Sequence, residues 1–236
     1  MIVTLTLSPG SLPGLVAGID RLGHQAVEAP LLYFRPPEHW VELDRAIARI
    51  EQYPLLGLTS PRASLALARR LEAAGQLRLP ESVRVWAIGP TTAAPLAAFA
   101  TVRAPAVSGG GEGLADAIIA AGERGPVLYP CGEDARPEFP ARLRAAGHKI
   151  EQIVVYRTTL ASPEQTVSVL RDTDAVLIGS HRVLTRAAEM TAGRRRPALI
   201  CLGQATAATA RSLGWEPAAV AEAPNAAGAL AAVASL

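Results

Sequence analysis

Four pairs of short segments recur along this chain in one order, at a spacing near half its length. Arg21-Leu22-Gly23-His24 followed by Leu31-Leu32-Tyr33 resembles Ala145-Ala146-Gly147-His148 followed by Val154-Val155-Tyr156. Gly57-Leu58-Thr59-Ser60 resembles Leu177-Ile178-Gly179-Ser180, and Ile88-Gly89-Pro90-Thr91-Thr92-Ala93 resembles Leu202-Gly203-Gln204-Ala205-Thr206-Ala207. Gly113-Leu114-Ala115 resembles Gly228-Ala229-Leu230-Ala231. The offsets of 124, 120 and 114 for the first three pairs bracket 118, half of the 236 residues. Self-similarity at that period means two copies of one unit, each with its own core. The copies are expected to face one another across a cleft.

The unit itself is read from hydrophobic runs. Leu55–Thr59, Val83–Ile88, Val127–Pro130, Ala175–Ile178 and Ala198–Leu202 are short and almost wholly apolar. Segments of helical period follow at 62–74, 91–99, 137–146, 182–192 and 204–213. Continuous apolar strands separated by helices predict parallel α/β sheets covered on both faces.

Composition removes several function classes. Lys and Arg number 23 against 21 Asp and Glu, and the one dense basic run is Arg194-Arg195-Arg196. A net charge of +2 is no footprint for nucleic acid, and the run reads as a solvated loop. Cys131 and Cys201 stand apart, and the four histidines have no ligand spacing, so neither a disulfide framework nor a metal site is expected. No apolar run is long enough to span a membrane. Met1–Leu7 lacks the basic start of an export signal. A cytoplasmic protein with no membrane partner is expected. The Walker, dinucleotide, zinc-protease and nucleophile-elbow motifs are all missing. Gly109-Gly110-Gly111-Glu112-Gly113 has no phosphate-loop lysine and reads as a flexible turn ahead of a helix at 114.

What remains is a repeated junction in which a strand ends on a small or hydroxyl residue and a helix begins at once. Thr59-Ser60-Pro61, Gly89-Pro90-Thr91-Thr92, Gly179-Ser180 and Gly203-Gln204-Ala205-Thr206 all have this form. Ordinary capping explains any one of them. All four together place helix N-termini at the carboxyl edges of the sheets, where open α/β folds bind ligands and where free N–H groups favour anions. Arg62 and Arg136 stand just after two strand ends, where a solvated role and a bidentate carboxylate contact are equally open. Tyr156, in the alternating segment Ile153–Thr158, is either a packing residue or a phenol able to protonate a leaving hydroxyl.

Taken together, these residues are similar to the uroporphyrinogen-III synthase family. The resemblance rests on Leu58-Thr59-Ser60-Pro61-Arg62-Ala63, Ile88–Ala93, Leu128-Tyr129-Pro130-Cys131-Gly132, Val154-Val155-Tyr156-Arg157-Thr158, Leu202–Ala207 and the tail Ala221–Asn225. It implies two Rossmann- or flavodoxin-like parallel-sheet domains joined by a two-stranded antiparallel linker. The expected boundaries are 1–30 plus 160–236 for a discontinuous domain, 38–150 for an inserted one, and 31–37 with 151–159 for the linker. It also implies a cofactor-free lyase, a monomer that cyclises hydroxymethylbilane with inversion of ring D and receives its substrate from the preceding synthase. Carried onto this sequence, Tyr156 becomes the acid for the departing hydroxyl. Thr92, Ser180 and Thr206 become carboxylate contacts, with Ser60, Arg62 and Arg136 as further candidates. Two departures stand out. Ser8-Pro9-Gly10 lies where many relatives carry an arginine after the first strand, and Gly179-Ser180-His181-Arg182 replaces a second Ser/Thr-Pro element. The other reading left by the sequence is a non-catalytic paralogue that binds a tetrapyrrole or another anionic small molecule.

Overall fold

The computed structural model describes residues 1–106 and 109–236. Among the described residues, eleven strands follow one another as β1 Ile2–Leu5, β2 Gln25–Glu28, β3 Leu32–Arg35, β4 Leu55–Leu58, β5 Arg84–Ala87, β6 Val102–Arg103, β7 Val127–Gly132, β8 Ile150–Leu160, β9 Ala175–Ile178, β10 Ala198–Cys201 and β11 Ala219–Val220. They form two sheets, ordered β2-β1-β9-β10-β11 and β3-β8-β7-β4-β5-β6. The chain divides into unit 1, Met1–Tyr33 with Thr159–Leu236, and unit 2, Phe34–Thr158. Within the sheets the registered pairs are parallel. At the edge of the second sheet β3 lies beside β8. There the Ala161 N–H donates to the Leu31 carbonyl and the Phe34 ring meets Tyr156, so the two strands run in opposite directions.

The duplicated segments occupy equivalent places. Gly57–Ser60 ends β4 and Leu177–Ser180 ends β9; the Gly89 and Gly203 junctions end β5 and β10. Gly147-His148 leads into β8 as Gly23-His24 leads into β2. Matching β8-β7-β4-β5-β6 to β2-β1-β9-β10-β11 gives one spatial order for both units. The chain enters that order at different points, because the counterpart of the closing pair β7–β8 opens unit 1. The long strand β8 corresponds to β2 and β3 together, which are divided at Ala29-Pro30, where proline can offer no ladder N–H.

Burial explains why the central strands β4 and β9 are apolar throughout. Leu56 and Leu58 of β4 face a core with Ala63, Leu67 and Leu71 of the helix Pro61–Ala73, while Leu55 faces another with Leu114, Ile118, Phe139 and Leu143. Unit 1 repeats the plan. Val176 and Ile178 pack against Val183, Leu184 and Ala187, whereas Ala175 and Leu177 join Val3, Leu5 and Ile19. In β4 and β9 alternate residues thus enter different cores, and these central strands cannot spare a polar face.

Two expected elements differ. In place of a helix over 91–99 there is a short one, Pro90–Ala93, continued by a tighter turn at Ala94–Leu96. Pro95 cannot donate the hydrogen bond an α-helix needs there. The glycine-rich stretch is no separate turn, since the helix Gly110–Ala120 starts inside it. Gly110 has φ +63°, and this left-handed entry needs glycine. Leu67 is fully buried, and Leu67→Ala is expected to cost about 2–5 kcal/mol in urea unfolding. Leu77→Ala, at a residue 87% exposed, should stay within about 0.5 kcal/mol.

Candidate active site

In unit 2 the strand order reverses direction between β4 and β7. The chain builds outward from β4 through β5 and β6, then returns to the other side of β4 with β7 and β8. Successive helices must leave such a point on opposite faces, which opens a crevice at the carboxyl ends of its two strands. A cavity of about 560 Å³ lies there. It is lined by Thr59 and Ser60 after β4, by Gly132, Asp134, Ala135 and Arg136 at the end of β7, by the first turn of the helix Gly110–Ala120, and by Tyr129, Phe139 and Tyr156.

Tyr156 reaches the cavity because the ladder is irregular. Cys131 pairs with Val154, but the next residue, Gly132, pairs with Tyr156, so β8 carries an extra residue at Val155. Such a bulge re-aims the following side chain. Simple alternation, as the sequence suggests, would separate Val155 from Tyr156, yet Ile153, Val155 and Tyr156 all pack on one core. Gly132 completes the arrangement. A Cβ there would stand 2.5 Å from Tyr156 Cζ and 2.7 Å from its hydroxyl oxygen. Phe34 meets the Tyr156 ring edge-on at 5.9 Å between centroids. The phenol oxygen lies 3.3 Å from Ser60 Oγ.

Ser60 is also the N-cap of the helix Pro61–Ala73, but its side chain makes no capping bond. The same holds for Ser180 before His181–Met190, whereas Ser162 and Asn225 cap their helices in the usual way. Capping therefore does not account for the two serines at the β4 and β9 edges. A second hydroxyl pair lies in the cavity wall. Tyr129, 1% exposed, shares a 2.8 Å hydrogen bond with Thr59 Oγ1 and packs on Phe139 at 4.8 Å. Burial pushes its phenol up to about 12, so it remains a neutral donor. Burial likewise raises the neighbouring Cys131 thiol, which makes it a poor nucleophile.

The candidate residues separate into groups. Ser60, Tyr156 and Arg136 line this cavity. Arg62 lies outside its lining, with its guanidinium 3.5 Å over the Phe34 ring, and burial lowers its pKa. Thr92 is 3% exposed and also outside the lining, its N–H donating to the Gly89 carbonyl. Ser180 and Thr206 belong to unit 1, where the Thr206 hydroxyl donates to the Gly179 carbonyl at 3.5 Å. Tyr129, Thr59 and Gly132 were given no role from the sequence. A tyrosine in an otherwise aliphatic buried strand, three residues before a strand-ending glycine, was the available signal. Glu112, Asp134 and Glu138 also line the cavity, against one cation, Arg136, among the described residues that line it. Its field favours positive charge and N–H donors over a crowd of carboxylates. Among the described residues no group of three or more His, Cys, Asp and Glu is placed to hold a metal ion.

The family model described as uroporphyrinogen-III synthase HemD matches residues 14–231. The chain belongs to the uroporphyrinogen-III synthase family. Members are cyclising lyases of haem biosynthesis that act on a linear tetrapyrrole. Solved structures agree in fold. The uroporphyrinogen-III synthetase of Helicobacter pylori aligns with a TM-score of 0.63 at 16% identity, over 99% of this chain and 98% of that one. A mutant uroporphyrinogen III synthase from Thermus thermophilus aligns at 0.61 and 16%, over 98% and 96%. No individually curated protein matches the sequence significantly.

Two outcomes follow from this geometry. Gly132→Ala should displace the Tyr156 ring and lower synthase turnover on the order of a hundredfold, as measured by isomer III formation. Tyr129 contributes stability that is complete below pH 10, the ordinary phenol value, and is lost as pH rises through about 12, because the unfolded chain ionises first. Tyr129→Phe should flatten the alkaline limb of a stability–pH curve while costing about 1 kcal/mol at neutral pH.

Proposed function

We propose that the unit 2 cavity holds the reacting end of hydroxymethylbilane during its closure to uroporphyrinogen III, with Tyr156 as the acid. The phenol gives its proton to the hydroxyl on the terminal methylene. The C–O bond electrons leave with water, and the pyrrole becomes a cationic azafulvene. The already substituted carbon of ring D attacks it to form a spiro intermediate, which fragments and recloses with ring D inverted. A proton is lost as the pyrrole regains aromaticity, and the phenolate takes it back. The sum is loss of one water, with no redox change.

The observation that supports this reading is the pairing of Tyr156 Oη with Ser60 Oγ in a cavity lined by three carboxylates. Ser60 holds the phenol in place, and the carboxylates stabilise the developing cation. Arg136 is the natural contact for a substrate carboxylate at this cavity. From unit 1, Ser180 and Thr206 are carried forward as carboxylate contacts, and Thr92 acts through the helix start it occupies. The chain is further read as a cytoplasmic monomer supplied with hydroxymethylbilane by the preceding synthase. No helix among the described residues is long and apolar enough to cross a membrane.

Fresh hydroxymethylbilane without added metal or nucleotide is expected to give predominantly isomer III, measured as oxidised uroporphyrin by chromatography. Tyr156→Phe should lower kcat by about 10²–10⁴ with little change in KM. Only isomer I, formed at the spontaneous rate by folded protein that still binds tetrapyrrole, would instead identify a non-catalytic binder.

A further inference from the structure

A second cavity of about 370 Å³ adjoins Tyr156 in unit 2 and has the opposite electrostatic character. Its lining includes Arg35, Arg62, Arg69 and Arg70, with Phe34 and Trp40, and no acid among the described residues that line it. Arg62, Arg69 and Arg70 share one face of the helix Pro61–Ala73, spaced by seven and eight residues. Exposed Leu65 lies between them on the same face. Two of these cations are held against rings. The Arg62 guanidinium lies 3.5 Å over Phe34, and that of Arg70 lies 5.5 Å from Trp40. Asp44 pairs bidentately with Arg70 at 2.9 and 2.7 Å, which fixes that fork. The four arginine side chains border an apolar, ring-bearing floor. That surface suits a ligand with flat apolar rings and carboxylates at their edges.

The partition of charge between the two cavities matters most. The first, with its three carboxylates and one arginine, is poorly suited to several substrate carboxylates at once. The arginine groove is well suited, and Tyr156 belongs to the walls of both. We propose that the groove formed by Phe34, Arg35, Trp40, Arg62, Arg69 and Arg70 is a subsite for the ring carboxylates of the same linear tetrapyrrole whose reacting end meets Tyr156. The inference rests on the proposed function for the identity of the ligand, but the groove's preference for a polycarboxylate can be tested separately. Binding there orients the chain by its acidic substituents and leaves the acid-lined cavity to the pyrrole that becomes cationic.

The test uses the full-length protein with Arg69→Glu, Arg69→Lys and the control Arg195→Glu, an equal charge change on an exposed residue of unit 1. Circular dichroism and the thermal midpoint establish that each variant is folded. In steady-state assays with hydroxymethylbilane, Arg69→Glu is expected to raise KM about tenfold or more while kcat is retained. Arg69→Lys should recover most of the loss, and Arg195→Glu should leave KM where it is. The wild-type KM should rise with salt more steeply than that of Arg69→Glu, because one screened contact is gone. Equal shifts in Arg69→Glu and Arg195→Glu, or no shift in either, overturn the subsite. A fluorescence titration with uroporphyrin I, a stable tetrapyrrole with carboxylates on every ring, separates this inference from the proposed function. If wild-type protein forms only isomer I yet Arg69→Glu weakens uroporphyrin binding, the function falls and the polycarboxylate site stands. Unchanged uroporphyrin affinity in Arg69→Glu overturns the site whatever the isomer assay shows.

Discussion

A parallel sheet covered on both faces leaves one place for chemistry. The central strands are taken up by apolar packing on both faces, as with Leu55 on one side of β4 and Leu56 with Leu58 on the other. Between parallel neighbours the chain returns to the starting edge through a helix, as from β4 to β5 and from β9 to β10. Hydroxyls, glycines and helix starts therefore gather at the carboxyl edge, where the backbone changes direction and side chains need not be apolar. Ser60, Gly89, Ser180 and Gly203 all hold this position. The crevice between β4 and β7 follows from the same constraint, because there the covering helices part.

Within that crevice the decisive arrangement is local. An extra residue in β8 turns Tyr156 towards the carboxyl edge, and the missing side chain of Gly132 leaves the space for its ring. Ser60, released from capping duty, meets the phenol. The buried pair Tyr129 and Thr59 forms the wall behind it. Two cavities of unlike charge meet at Tyr156, one bordered by Glu112, Asp134 and Glu138 and the other by arginines. Both linings occur in a protein whose net charge is only +2, because acids and arginines are segregated between them.

Much of the architecture could be read from the chain because its signals are local. Apolar runs such as Ala175–Ile178 suit buried strands, and the paired junctions at Ser60 and Ser180 mark the duplication through neighbouring residues alone. Where the reading failed, one residue prevailed over a longer pattern. Pro95 cut short the helix expected over 91–99, and the positive φ open to Gly110 let a helix start within what looked like a turn. Tyr129 was passed over because its strand reads as core, and its hydroxyl acquires a partner only from Thr59, seventy residues away.

The sequence by itself determined the fold class and the twofold repetition, since hydrophobic period and strand-end chemistry depend on neighbours along the chain. Which candidates share a cavity was decided only by the tertiary structure. Strand order brought Arg136 and Ser60 to one cavity, the bulge turned Tyr156 into it, and stacking of Arg62 over the Phe34 ring holds that arginine in a separate groove. Register, bulges and cation stacking depend on residues far apart in sequence, and they are settled only when the strands pack.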